Sequence, residues 1–422
     1  MARQEMLNSH YSYKKKVYVG KMKRQGNQNS GIMAQMMYYM SESRLRGKIR
    51  RITDALEADP VDVQTLKELT ISADGLITVD LRCKVWTKLL NVNAFEFSRN
   101  QAKKKDNSEL KQFHEHKYWR QVNLDVDRSH RRFPAEMRAS RRRSLQEQLV
   151  RVIMRVLCQN QDLHYYQGYH DVAVTLLLVV GEDLATALLE QMSLHQLRDF
   201  MEGTMEKTTK MLAFLHPIIE EADPELDDFL IRSEVGQVFA LSWLITWYGH
   251  VLKDFATIVR LYDFFLATHP LMPVYFGAAL VIRRRTDVLS GECEMSFVHH
   301  LLSRVPDDLP DYVEELITTA HSLFCKYPPE KLAGAVERYL KESMAVAKHK
   351  QFLRELEDQR PDSVLRQRRK QLALYTNNEL EVSPNFQSPN QTNTYTKLAV
   401  WTLTATVGTM ALYVLSSAKR WI

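Results

Sequence analysis

"SLQEQLVRVIMRVLCQ", Ser144–Gln159, sets Leu145, Leu149, Val152, Ile153 and Val156 at three- and four-residue spacings. That period gathers the five on one face of a helix but scatters them over both faces of a strand, so the stretch reads as a helix. Ser144 followed by Glu147 has the form of a capping box and predicts the helix start there. Further on, "EVGQVFALSWLITWYGHVL" (Glu234–Leu252) and "TIVRLYDFFLATHP" (Thr257–Pro270) are apolar nearly all round, the pattern of buried helices. Pro270 and Pro273 punctuate the chain after them. From Arg46 to Leu340 few runs alternate with period two, and no repeat stands at solenoid spacing. The expected fold class is all-α.

Outside that region the composition changes. The chain has 422 residues, 45% of them apolar, enough for a real core, and a formal charge of +6. The first fifty residues are rich in Lys and Arg and nearly free of acids, so residues 1–46 are expected to form a disordered basic arm. Cys83, Cys158, Cys293 and Cys325 stand far apart with no C-x-x-C pair, which argues against a disulfide framework or a zinc site and for a reducing compartment. The N-terminal "GIMAQMMYYM" is too short and too polar for a signal peptide. Residues 344–396 turn polar and basic, with "QRPDSVLRQRRKQL" and then "SPNFQSPNQTN", and read as a linker whose reach is about 40 Å.

Leu398–Ala418, "LAVWTLTATVGTMALYVLSSA", carries no charge and is flanked by Lys397 and by Lys419-Arg420. As a helix it would be about 31 Å long, close to the thickness of a bilayer's hydrocarbon layer. Its threonines can bond back to their own helix, so they do not forbid insertion. Residues 397–422 are therefore expected to form a transmembrane tail anchor, with the bulk of the chain on the cytosolic side.

Three further stretches carry chemistry. "LRCKVWTKLL" contains Arg82 and Trp86, and "VNLDVDRSHRRFP" contains Val122, Asp125 and Arg128. "HYYQGYHD" places Tyr165, Tyr166, Gln167 and Gly168 directly before an apolar run. Taken singly each is ordinary: Asp125 and Arg128 look like a helix-surface pair, and Trp86 looks like core. Their order and separation, R-x-x-x-W, then V-x-x-D-x-x-R, then Y-x-Q-G, resemble the TBC domain, the GTPase-activating module for Rab GTPases. Trp243 and Asp263 match the later helical signature of that family. Val122 stands where the family usually has Ile, Ser129 where many members have Thr, and His170 where Asn is commoner.

The resemblance implies a two-lobed helical domain over residues 47–343 and a GTP-bound Rab as partner. It implies that Arg128 is an arginine finger and Gln167 a glutamine finger. The chain would need no cofactor of its own, since GTP and Mg²⁺ arrive on the partner. The chemistry fits those residue types. An arginine's planar, permanently charged fork meets phosphoryl oxygens, and a glutamine can orient the attacking water. Tyr165, Tyr166 and Gly168 are expected to hold Gln167, and Asp125, one turn before Arg128, to orient its guanidinium. Arg82, Trp86, Trp243 and Asp263 are structural motif residues. Arg131, Arg132, Arg138 and Arg141–Arg143 are expected to face solvent. The resemblance also implies the endoplasmic reticulum membrane and a Rab of ER-to-Golgi traffic.

Two rivals remain at this stage. His170-Asp171, with His164 one turn earlier, has the look of an HD-type metal-dependent phosphohydrolase. A membrane-tethered scaffold that binds a Rab without activating it would lack the Arg or the Gln. Nucleic-acid binding is not expected, because the basic stretches lack aromatic interleaving and a known module.

Overall fold

The computed structural model describes residues 28–93, 107–133, 137–332 and 335–368, and among them every regular element is helical. In chain order the first helices are α1 (Gln28–Glu57), α2 (Val63–Ile71), α3 (Val79–Leu89), α4 (Asn107–Glu115), α5 (Trp119–Arg128), α6 (Ala139–Gln159), α7 (Tyr169–Val180) and α8 (Glu182–Leu194). There follow α9 (Glu206–Leu212), α10 (Leu215–Ala222), α11 (Pro224–Arg232), α12 (Leu241–Ile245), α13 (Phe255–Leu266) and α14 (Met272–Arg283). The last are α15 (Arg285–Leu289), α16 (Met295–Ser303), α17 (Leu309–Lys326), α18 (Ala335–Glu342) and α19 (Met344–Glu357). Residues 362–368 add a further helical stretch.

Helix α7 is buried along almost its whole length and packs on α5, α6 and α8. A second group gathers on α14, which touches α10, α12 and α17. Helix α13 contacts α2, α3 and α7 and also α17, so it joins the two groups. Its Arg260 is nearly buried and donates to the carbonyls of Thr70, Ile71 and Ser72 while pairing with Glu314 of α17. Three backbone acceptors at a helix end and one carboxylate thus share a single guanidinium, which satisfies groups that burial would otherwise leave unpaired.

The structure revises three boundaries. Helix α6 begins at Ala139, before the expected cap at Ser144, because the intervening arginines are good helix formers. Its Leu149, Val152, Ile153 and Val156 are buried, as the spacing required. Helix α1 begins at Gln28, inside the stretch expected to be a disordered arm, and its later turns dock through buried Leu45, Ile52 and Ala55. The polar segment after residue 343 is not all linker. Ser343, Met344 and Ala345 bond to the fully buried Asp199, and α19 buries Ala345, Phe352 and Leu356. One compact unit therefore runs through Arg368. Among the described residues no helix is long and apolar enough to cross a membrane. The span expected at Leu398–Ala418 lies outside the described residues.

Candidate functional site

Arg128 is the last residue of α5, and its side chain is exposed with no bonded partner among the described residues. The apolar face of α5 buries Val122 and Val126, which fixes the rotation of the helix and turns Arg128 outward. Gln167 is likewise exposed and stands just before α7. Behind it Gly168 has φ +108°, a region that disfavours side chains, and a Cβ there would lie 2.9 Å from Thr246 Cγ2. The Y-x-Q-G motif thus needs its glycine for both backbone and space.

The two tyrosines anchor this loop in different directions. Tyr165 donates from its hydroxyl to Asp125 Oδ2 at 2.9 Å, and Tyr166 donates to the Ile245 carbonyl at 2.9 Å. Asp125 is buried and also accepts from Gln121 Nε2 at 3.1 Å. Asp125 therefore does not orient Arg128, as the sequence reading expected; among the described residues it ties α5 to the Gln167 loop. The physical reason is burial: a carboxylate sealed under the helix can reach a neighbouring loop but not a guanidinium that points to solvent.

A second set of contacts lies one turn beyond each motif. Asp171 Oδ1 is 3.1 Å from Arg132 Nε, and Asp171 Oδ2 is 3.1 Å from His250 Nδ1. Burial pushes the Asp171 carboxyl up, but the His250 bond and the charges of His170 and Arg132 outweigh it, so it sits below the usual carboxylate range. The same bond raises His250, whereas burial lowers His170. Arg132 was expected to face solvent; its side chain is 11% exposed. No local sequence signal marks Arg132, because its partner Asp171 lies on another element, α7. Asp171 is thus engaged by a guanidinium and an imidazole, while His170 Nδ1 lies 3.5 Å from the Tyr165 hydroxyl. Among the described residues no three His, Cys, Asp or Glu side chains converge as a metal site.

A cleft of about 280 Å³ opens beside Gln167, lined by Phe200, Met205, Thr208, Ile245 and His250. Trp247 and Tyr248, which lead to His250, have φ of +46° and +63°. For bulky residues this is costly backbone, and it is held because both rings are 1% exposed in the core.

Of the structural motif residues, Arg82, Trp86 and Asp263 meet in one cluster. Asp263, fully buried, accepts from Arg82 Nε at 3.0 Å and Nη2 at 2.8 Å, from Trp86 Nε1 at 2.9 Å and from the Leu76 N–H at 3.0 Å. Trp243 packs edge-on against Phe239 and lies beside Tyr248.

The sequence model of the RabGAP-TBC family, described as the Rab-GTPase-TBC domain, matches residues 79–289. The chain is 49% identical over 375 residues to TBC1 domain family member 20 of Homo sapiens, covering 89% of this chain and 90% of that protein. It is 33% identical over 248 residues to GTPase-activating protein gyp10 of Schizosaccharomyces pombe, covering 58% and 64%. The crystal structure of the Ypt/Rab-GAP domain of Gyp1p superposes with a TM-score of 0.54 at 16% identity, covering 67% of this chain and 98% of that one, a likeness of fold. Motif, fold and relatives agree: the chain belongs to the RabGAP-TBC family and is a Rab GTPase activator.

Proposed function

We propose that the chain accelerates GTP hydrolysis by a Rab by supplying Arg128 and Gln167 in trans. The observation that carries this is their shared presentation: two exposed side chains, without a bonded partner among the described residues, on segments joined by the Tyr165–Asp125 hydrogen bond. Negative charge spreads over the transferring phosphoryl group as it leaves, and Arg128 neutralises it while Gln167 aligns the water. An arginine finger is worth about 10³ to 10⁵ in rate, or roughly 4 to 7 kcal/mol of barrier. GTP and Mg²⁺ stay on the GTPase, and this chain contributes no metal. The tail at Leu398–Ala418 holds the domain at the endoplasmic reticulum membrane, where a Rab of ER-to-Golgi traffic is the substrate.

Single-turnover hydrolysis with a panel of GTP-loaded Rabs tests the mechanism. Arg128→Ala and Arg128→Lys are expected to lose more than nine-tenths of the stimulation, at least about 1.4 kcal/mol of barrier. Gln167→Ala is expected to abolish stimulation of a normal Rab, while the wild-type protein still activates a Rab whose own glutamine is replaced. Full activity from both Arg128 variants would refute the arginine-finger role. For the tail, removal of residues 397–422 should release the protein from carbonate-extracted membranes with its activity on soluble Rab intact. Retention in the membrane pellet would refute the anchor.

A further inference from the structure

Arg132 lies four residues beyond Arg128, and Asp171 lies four beyond Gln167. Their 3.1 Å contact is almost sealed from water, with side chains 11% and 2% exposed. Arg132 Nη2 also donates to Thr175 Oγ1 at 3.1 Å, one turn further along α7. Space for the guanidinium is left by Gly249, where a Cβ would stand 3.1 Å from Nη2 and 3.0 Å from the Thr246 carbonyl.

A buried ion pair stabilises a fold poorly, because desolvation offsets most of the attraction; an apolar pair of similar size often does as well. What such a pair does supply in the best-attested cases is register between elements. The elements here are the two that carry the proposed fingers. Asp125 and Arg132 bracket Arg128, while Tyr165 and Asp171 bracket Gln167, so each finger has a cross-tie on either side. A single tie leaves the two segments free to pivot about it. Two ties fix their separation and their angle.

We infer that Arg132 and Asp171 are positioning residues for GTP hydrolysis: their buried pair sets the placement of Arg128 relative to Gln167 before the GTPase docks. The inference rests on the reading that those two side chains act in trans. Catalytic groups must be held within about 0.5 Å, and a 1 Å error can cost about 10²-fold.

The test is single-turnover hydrolysis by a Rab that the wild-type full chain activates, measured over a range of activator concentrations. Arg132→Lys keeps a charge opposite Asp171 and loses the fork to Thr175; Arg132→Met with Asp171→Asn removes the charges together. Both are expected to unfold in urea near the wild-type midpoint. The saturating rate should fall about tenfold for the lysine variant and about 10²-fold for the double variant. The half-saturating concentration should stay within about twofold of wild type, as expected when a group acts only in the transition state. A wild-type saturating rate from the lysine variant overturns the inference, whatever the double variant does. So does a loss confined to the half-saturating concentration, which would make the pair part of the docking surface. Arg128→Ala run alongside separates the two claims: if it keeps the full rate, the finger reading fails and the brace falls with it; if it loses the rate while the lysine variant does not, only the brace fails.

Discussion

At the scale of single residues, Asp263 shows how one side chain can carry a sequence motif. It collects Arg82, Trp86 and the Leu76 N–H, so an R-x-x-x-W element and a helix some 180 residues later share one carboxylate. Arg82 is 8% exposed on its side chain. Replacing Asp263 by Ala would leave that guanidinium buried and unpaired, a change that typically costs about 3–5 kcal/mol. Urea unfolding of Asp263→Ala is expected to show a loss of that order. A loss below about 1 kcal/mol would mean that water reaches Arg82. Asp125 shows the other side of such residues. Its place in the motif suggested service to Arg128, and its burial assigns it to Tyr165 instead.

At the scale of elements, the loop Tyr165–Gly168 presents Gln167 because its neighbours leave no alternative path. Gly168 accounts for two costs that can be separated. The strain of a side chain at φ +108° belongs to the backbone, about 1–3 kcal/mol, while the 2.9 Å clash involves only the Thr246 methyl. Thr246→Ser removes that methyl and keeps the hydroxyl that donates to the Ser242 carbonyl and accepts the His250 N–H. Gly168→Ala is therefore expected to lower both stability and saturating GTPase stimulation, and Thr246→Ser in the same chain to restore part of each. No recovery would show that the backbone alone sets the loop.

At the scale of the whole molecule, helix α19 sets its own His349 and Phe352 against His269 and His195. His269 and His349 have ring centroids 4.9 Å apart, and His195 lies 4.3 Å from the Phe352 ring. Burial pushes His269 down to about 4. Burial, then the charges of His269, Lys67 and His195, push His349 to about 3. Burial and Lys348 lower His195 against the pull of Glu355. Unfolded histidines titrate near 6.5, so below that pH the unfolded chain takes up protons that the folded chain refuses. Stability should then fall as pH drops from about 6.5 through about 4, and it should be flat in this respect above neutrality. The urea midpoint of wild type is expected to decline more steeply over that window than that of His349→Leu. Parallel curves would place these rings in water.

The sequence by itself determined the helices, since a 3.6-residue apolar period and all-round apolar runs leave no other way to bury those side chains. It also determined the presence of Arg128 and Gln167 in their motifs, because exposed polar side chains at the edge of an apolar run do not arise from packing. Only the tertiary structure decided what holds them. Asp125 meets Tyr165, and Arg132 meets Asp171, across about 40 residues of chain. A partner's identity at that range follows from which helix faces meet, and a local period carries no record of that. That the compact unit runs on past residue 343 was hidden for the same reason. Helix α19 looks polar along its length, and its few apolar residues matter because Asp199 and the histidines await them in the core.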